Sequence, residues 1–197
     1  AEDLHRWVEM LIDHGDLSTA NKIAEKLREA AFPIYVTRKL SGAQRYVTDR
    51  FSGESFRRYG QIASSKSYPF LTNYGLDTGF QATKRIRIGE WFNAEPEADR
   101  SCCQLEDTIT EFQCQGLEVD YSIVCWANDF TWNGDSWQII NKRKSAMIQN
   151  PHQLRTNAYR VLLTRAREGM ILFVPDDPSL DSTYQALVTA GAQTVHG

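Results

Sequence analysis

The run Met170-Ile171-Leu172-Phe173-Val174 restricts the fold more than any other stretch of the chain. Consecutive apolar residues leave no polar face to show to water. A strand built from them is buried on both sides, as a central strand of a parallel sheet is. The segment before it has a different period. Asn150-Pro151 is a helix start, a capping residue followed by proline at the first helical position, and Gly169 is a helix stop. Between them, at about 100° per residue, Leu154, Ala158, Val161 and Leu162 fall on one apolar stripe. A helix followed by a doubly buried strand is one unit of an α/β alternation.

The rest of the chain repeats that unit. Leu4, Trp7, Val8 and Leu11 predict a helix ending near His14-Gly15. Asp16-Leu17-Ser18 opens another that runs to Ala31, with Ala20, Ile23, Ala24 and Leu27 on its apolar face. Ile34-Tyr35-Val36 is a short strand, followed by Thr37-Arg38. Leu40, Ala43, Tyr46 and Val47 mark the next helix. Tyr59 to Ala63 is a second strand running into the polar loop Ser64-Ser65-Lys66-Ser67. Glu106 to Phe112 and Tyr121 to Trp126 are a third and a fourth strand, and Ser182 to Ala190 is a closing helix. The expected fold is α/β: a parallel sheet with helices on both faces. Such sheets bind ligands beyond the C-terminal ends of their strands, which directs attention to Thr37-Arg38, Ser64 to Lys66 and Gln113 to Glu118. Residues 1–33 read as a helical lead-in and 34–197 as one domain. Two interruptions are expected within it. Residues 68–105, punctuated by Pro69, Asn73, Gly75, Gly79, Gly89 and Pro96 but rich in aromatics, form an irregular, ordered insertion. Residues 127–148 form a hairpin insertion, with Asn133-Gly134 supplying the positive φ angles of a tight turn between Trp132 and Trp137.

Composition excludes several classes. A net charge of −3 over 197 residues carries no global basic footprint for nucleic acid. Basic residues cluster only locally, at Arg57-Arg58, Lys84 to Arg87 and Lys142-Arg143-Lys144, and each run taken singly reads as solvated surface. No apolar run is long enough to cross a membrane. Cys102, Cys103, Cys114 and Cys125 lack metal-ligand spacing, so no metal site is expected, and they fit reduced thiols of a cytoplasmic protein. The chain opens on Ala1 rather than Met, directly in a helical pattern, as a piece cut from a larger protein would.

One residue conflicts with the helical pattern. Extended to Gly169, the helix puts Arg165 in the middle of its apolar stripe. A guanidinium there is costly unless it meets an anion. That anion is either a buried carboxylate or a ligand phosphate across a cleft.

Upstream, the segment Thr110-Glu111-Phe112-Gln113-Cys114-Gln115-Gly116-Leu117-Glu118 follows the third strand. Its pattern Thr-x-x-x-x-Gln-Gly-x-Glu, with Leu163-Thr164-Arg165-Ala166-Arg167 farther on, resembles motifs V and VI of superfamily 1 DNA/RNA helicases. The resemblance is firmest from Glu106 to Pro175. The whole chain looks like the C-terminal, second RecA-like domain of bacterial relatives of the Schlafen group III helicase domain. This resemblance implies roles for particular residues. Arg165 matches the arginine finger that reaches the γ-phosphate of ATP. Glu118 matches the glutamate that contacts the ribose, and Gln115-Gly116 the turn that presents it. Tyr159 matches an aromatic that packs beneath the nucleotide cleft. Thr110 matches a position near the nucleic-acid backbone, and Ser64, Ser65 and Lys66 form a further candidate nucleic-acid loop. Arg38 or Lys66 matches the phosphate-contacting cation of motif IV. Many members carry histidine where this chain has Phe112, a change that removes a polar group between nucleotide and nucleic acid.

No Gly-x-x-x-x-Gly-Lys-Ser/Thr loop occurs in the sequence. The resemblance therefore implies half an ATP site: ATP with Mg²⁺ would bind only together with an N-terminal RecA-like domain of the same protein, and DNA or RNA, single-stranded, would be the track. Two other readings stand beside it. One is a non-catalytic module that grips nucleic acid or protein through Trp132, Trp137, the 142–144 run and the Ser64-Ser65-Lys66 loop. The other is a structural domain in which Arg165 pairs with an internal acid such as Glu118.

Overall fold

A computed structural model describes residues 2–140 and 150–195. The chain begins with helix α1 (Glu2–Val8), which passes through a π-helical turn (Glu9–Asp13). Helix α2 (Leu17–Glu29) follows, capped by the Asp16 carboxylate on the Thr19 N–H at 3.1 Å. Strand β1 (Ile34–Thr37), helix α3 (Leu40–Arg50) and strand β2 (Tyr59–Ala63) come next. The short helices α4 (Phe80–Thr83) and α5 (Ile88–Asn93) lie in the long insertion. Strands β3 (Thr108–Thr110) and β4 (Val119–Cys125) precede a hairpin of β5 (Thr131–Trp132) and β6 (Trp137–Gln138). Helix α6 (Pro151–Leu162), strand β7 (Ala166–Phe173), helix α7 (Asp181–Thr189) and strand β8 (Gln193–Thr194) complete the order.

The main sheet has six strands in the order β3-β2-β4-β7-β1-β8, and all of its pairings are parallel. The apolar run of β7 lies between β4 and β1, with Met170, Ile171 and Leu172 wholly buried. Every residue of β2 is buried. Because successive side chains point to opposite faces, both faces of the sheet must be covered. Parallel pairing also gives the sheet two distinct edges. Thr37, Phe173, Cys125, Ala63 and Thr110 stand level along its C-terminal edge. Val119 and Ala166 stand level at its N-terminal edge.

The N-terminal helices share the core of the domain. Trp7 is fully buried and its indole N–H donates to the Ala190 carbonyl at 3.0 Å, on the far end of the chain. The Trp137 indole donates to the Leu11 carbonyl at 2.7 Å, and Arg160 on α6 holds both oxygens of Asp13 at 2.6 Å. Residues 68–105 pack against the core. Leu71, Leu76, Trp91 and Cys102 are buried anchors. The Trp91 ring lies so close to Gly60 of β2 that a Cβ there would sit 2.5 Å from it, so only glycine fits beneath the indole.

Four local expectations need correction. The opening helix of the last unit stops at Leu162, and Gly169 lies inside β7. Thr164 ends the helix by donating its hydroxyl to the Arg160 and Val161 carbonyls at 2.9 and 3.1 Å. Gly169 is required for another reason: a Cβ there would meet the Tyr121 ring at 2.7 Å. The buried face of α6 carries Thr156, Ala158, Tyr159 and Leu162, whereas Leu154 is exposed. The third strand is only three residues long, and Glu111 and Phe112 already belong to the turn after it. In the hairpin the Trp132–Trp137 pair leaves a loop in which Gly134 takes a positive φ of 107°, while Asn133 accepts the N–H groups of Asp135 and Ser136 at 2.8 Å. The basic run 142–144 lies outside the described residues.

Candidate functional site

At the N-terminal edge of the sheet, Val119 and Ala166 are register partners at the starts of β4 and β7. The Val119 N–H donates to the Arg165 carbonyl at 2.9 Å. Glu118 and Arg165, each one residue before its strand, therefore leave the sheet side by side. Arg165 is not on a helix stripe but in the turn between α6 and β7, and it is half-buried. Its Nε donates to the Val161 carbonyl and its Nη2 to the Thr164 hydroxyl, both at 3.2 Å. None of the ion pairs among the described residues uses it. The guanidinium is held by neutral groups, with part of its donor fork unused. Glu118 is exposed and accepts instead from Arg167 Nε at 3.0 Å, so an Arg165–Glu118 pair is not formed. Between the edges runs the turn 111–118. Gly116 there has a φ of 78°, a left-handed conformation that suits glycine. Cys114 is buried in this turn, which pushes its thiol up to about 12, against the opposing pull of the Arg165 charge. Gln115 and Gly116 are exposed.

The other sequence candidates lie at the C-terminal edge. Thr110 is buried, and its N–H and hydroxyl face the Gln113 side-chain carbonyl at 3.0 and 3.5 Å. The Ser64 hydroxyl accepts from Arg155 Nη1 at 2.7 Å and from the Lys66 N–H at 3.1 Å. The Ser65 N–H and hydroxyl each donate to the Glu111 carboxylate at 2.7 Å. Arg155, on α6, lies 3.8 Å from Glu111 and 3.5 Å from Asp129. Asp129 accepts the Tyr159 hydroxyl at 2.6 Å, and that hydroxyl oxygen accepts the Ala127 N–H at 3.2 Å. Burial raises the Asp129 carboxyl above its ordinary range, against the hydrogen bonds from Ser64 and Tyr159 and the charge of Arg155. Burial likewise holds the Tyr159 phenol well above its usual value. Tyr159 is therefore a closed member of a buried network, stacked on Phe130 and tilted against Trp126, and does not border an open cleft.

Arg38 is also committed. It donates to the carbonyls of Val174, Pro175 and Asp177 at 3.2, 2.7 and 3.1 Å and to Asp181 at 2.6 Å, and it lies over the Tyr184 ring. It fastens the loop after β7 to α7. The structure does not bring Arg38 or Lys66 to Arg165; both lie at the opposite edge. Trp132 and Trp137 are buried in the core rather than offered to bases. Reasoning from sequence passed over Glu111, Asp129 and Arg155. The available signal was an acid between Thr110 and Phe112 at a strand end, and an arginine one helical turn before Tyr159 on the same face of α6.

Among the described residues no cluster of His, Cys, Asp and Glu is arranged to hold a metal ion, and no helix is long and apolar enough to cross a membrane. A family model for the Schlafen group 3, DNA/RNA helicase domain matches residues 1–176. The chain belongs to that family. No curated protein and no solved structure matches it. Within this Schlafen group 3 helicase domain the match runs from α1 through β7, so it covers both sheet edges and the insertion.

Proposed function

We propose that this Schlafen group 3 domain is the second motor domain of an ATP-dependent DNA or RNA helicase or translocase. In this reading its N-terminal edge completes an ATP site and its C-terminal edge faces nucleic acid. The observation that carries it is the side-by-side departure of Glu118 and Arg165 from adjacent strands, with the arginine in none of the ion pairs among the described residues. These residues fit one side of a nucleotide. Arg165, oriented by Val161 and Thr164, has N–H donors left for an anion. Glu118 can accept ribose hydroxyls, because its exposed pair with Arg167 is weak enough to exchange. ATP with Mg²⁺, when bound, supplies the phosphoanhydride bond whose cleavage drives movement, and an N-terminal RecA-like domain of the same protein supplies the phosphate cradle. Arg165 offers fixed positive charge to the anion, which is the most effective kind of contribution to phosphoryl transfer.

The test is Arg165→Ala in the protein that joins this domain to its ATP-binding companion. Nucleic-acid-stimulated ATPase turnover is expected to fall by about 10³-fold or more, with nucleic-acid affinity and folding retained. ATP turnover at the wild-type rate would remove Arg165 from the site.

A further inference from the structure

Three large aromatic rings are left facing water around the C-terminal end of β3. Tyr68 is 53%, Phe80 75% and Phe112 70% exposed. Exposed rings gathered on one side of a domain suit an interaction site better than rings scattered singly do. A continuous path of contacts places them together. Phe112 neighbours Gln113, whose side-chain amide donates to the Thr83 carbonyl of α4 at 2.8 Å. The Thr83 hydroxyl reaches back 3.1 Å to the Gly79 carbonyl, just before Phe80. The Tyr68 ring crowds Gly79, where a Cβ would meet it at 3.1 Å. Ser67 and Thr78 join their hydroxyls at 2.6 Å beneath this surface. Charge accompanies the rings. Lys84 Nζ lies 5.6 Å from the Phe80 ring centre, and Lys66 is exposed beside Tyr68. Asp77, the one acid between Lys66 and Lys84, turns its carboxylate onto the Gly79 N–H at 3.0 Å.

Flat apolar faces interleaved with ammonium groups suit a ligand that presents π-faces and phosphates together. A duplex hides its base faces by pairing and stacking; a single strand offers them. We propose that Tyr68, Phe80 and Phe112 form a base-stacking platform for single-stranded nucleic acid, with Lys66 and Lys84 on its phosphates. The proposal rests on the reading of the C-terminal edge as the nucleic-acid side and assigns the long insertion a part in it. It also gives Phe112 a use of its own, as a stacking surface where many relatives place a polar ring.

The test is titration of labelled oligo-dT and oligo-U with the 197-residue chain, by fluorescence anisotropy over a range of salt. The Phe80→Ala/Phe112→Ala double variant is expected to weaken single-strand binding by about tenfold or more with the salt dependence kept. Lys66→Ala/Lys84→Ala is expected to weaken binding and flatten the salt dependence. Oligonucleotides carrying 5-iodouridine are expected to crosslink to peptides containing Tyr68, Phe80 or Phe112. Unchanged affinity in the aromatic variant, with crosslinks elsewhere, would overturn the platform; if the lysine variant were still weakened, the nucleic-acid edge would stand without it. Equal binding of duplex and single strand would also overturn the platform. Absence of binding to either at low salt would remove the platform and the edge together.

Discussion

At the C-terminal edge, half-buried Arg155 and buried Glu111 and Asp129 are bonded to Ser64, Ser65 and Tyr159. At the N-terminal edge, Arg165, Arg167 and Glu118 are half-buried or exposed, and their charges meet one another loosely or not at all. Both edges are rich in ionisable groups, but Arg155 lies beside two buried carboxylates whereas Arg165 is held by neutral oxygens. A cation that spends its charge on buried carboxylates holds a shape. A guanidinium held by neutral acceptors keeps donors to offer. By the same measure Arg38 is committed to backbone carbonyls and Asp181, whereas Arg165 keeps donors free of the ion pairs among the described residues.

Arg155→Ala should break this contrast most severely. It strips Glu111 and Asp129 of their shared cation in a buried setting, and the expected loss is about 3–5 kcal/mol in urea unfolding. An unfolding midpoint equal to that of the wild type would mean that the C-terminal network is not closed. Asp129→Asn should have an intermediate effect, about 1–3 kcal/mol in acid and less at neutral pH, because Tyr159 keeps an acceptor and the burial that disfavours the ionised carboxyl is relieved. Its signature is in the pH profile. The carboxyl is raised in the folded state, so its contribution is fully present below its ordinary value and is lost as pH rises through the raised one. The asparagine variant should lack that falling component, and a profile parallel to that of the wild type would argue against the buried acid. Asp13→Asn should show the opposite slope and a smaller effect, about 1 kcal/mol or less. The Arg160 hydrogen bond holds the Asp13 carboxyl below its ordinary range, so its contribution is present above the ordinary value and is lost as pH falls through the lowered one. Thermal melts of the wild type and the variant should therefore converge in acid. Arg167→Ala is expected to change stability least, by about 0.5 kcal/mol or less.

The α/β alternation, the parallel sheet, the strand at Tyr59 to Ala63 and the buried run of β7 were legible because each rests on local period. The end of α6 was not, because the Thr164 hydroxyl closes it and the Gly169 conformation answers to a ring from another strand. That boundary decides whether Arg165 lies on a helix stripe or in the turn that enters β7. Attention goes to the other edge because parallel sheets commonly bind ligands beyond the C-terminal ends of their strands. Glu118 and Arg165 stand beside one another whatever the helix length, because the strands that follow them pair from Val119 and Ala166. The buried network was illegible for a different reason. Arg155 and Ser64 are 91 residues apart, and no short-range pattern announces a bond of that span.

Helix α6 begins beside the C-terminal edge and ends where Leu163 and Thr164 lead into Arg165. Its twelve residues make a rod about 18 Å long, gripped near one end by Ser64 and Asp129 and carrying the guanidinium at the other. Such a rod has little freedom to bend, so a displacement at its held end is delivered as a tilt or a slide at its tip. The two edges are thus joined by one stiff element, anchored to Ser64 near its start and closed by Thr164 at its end.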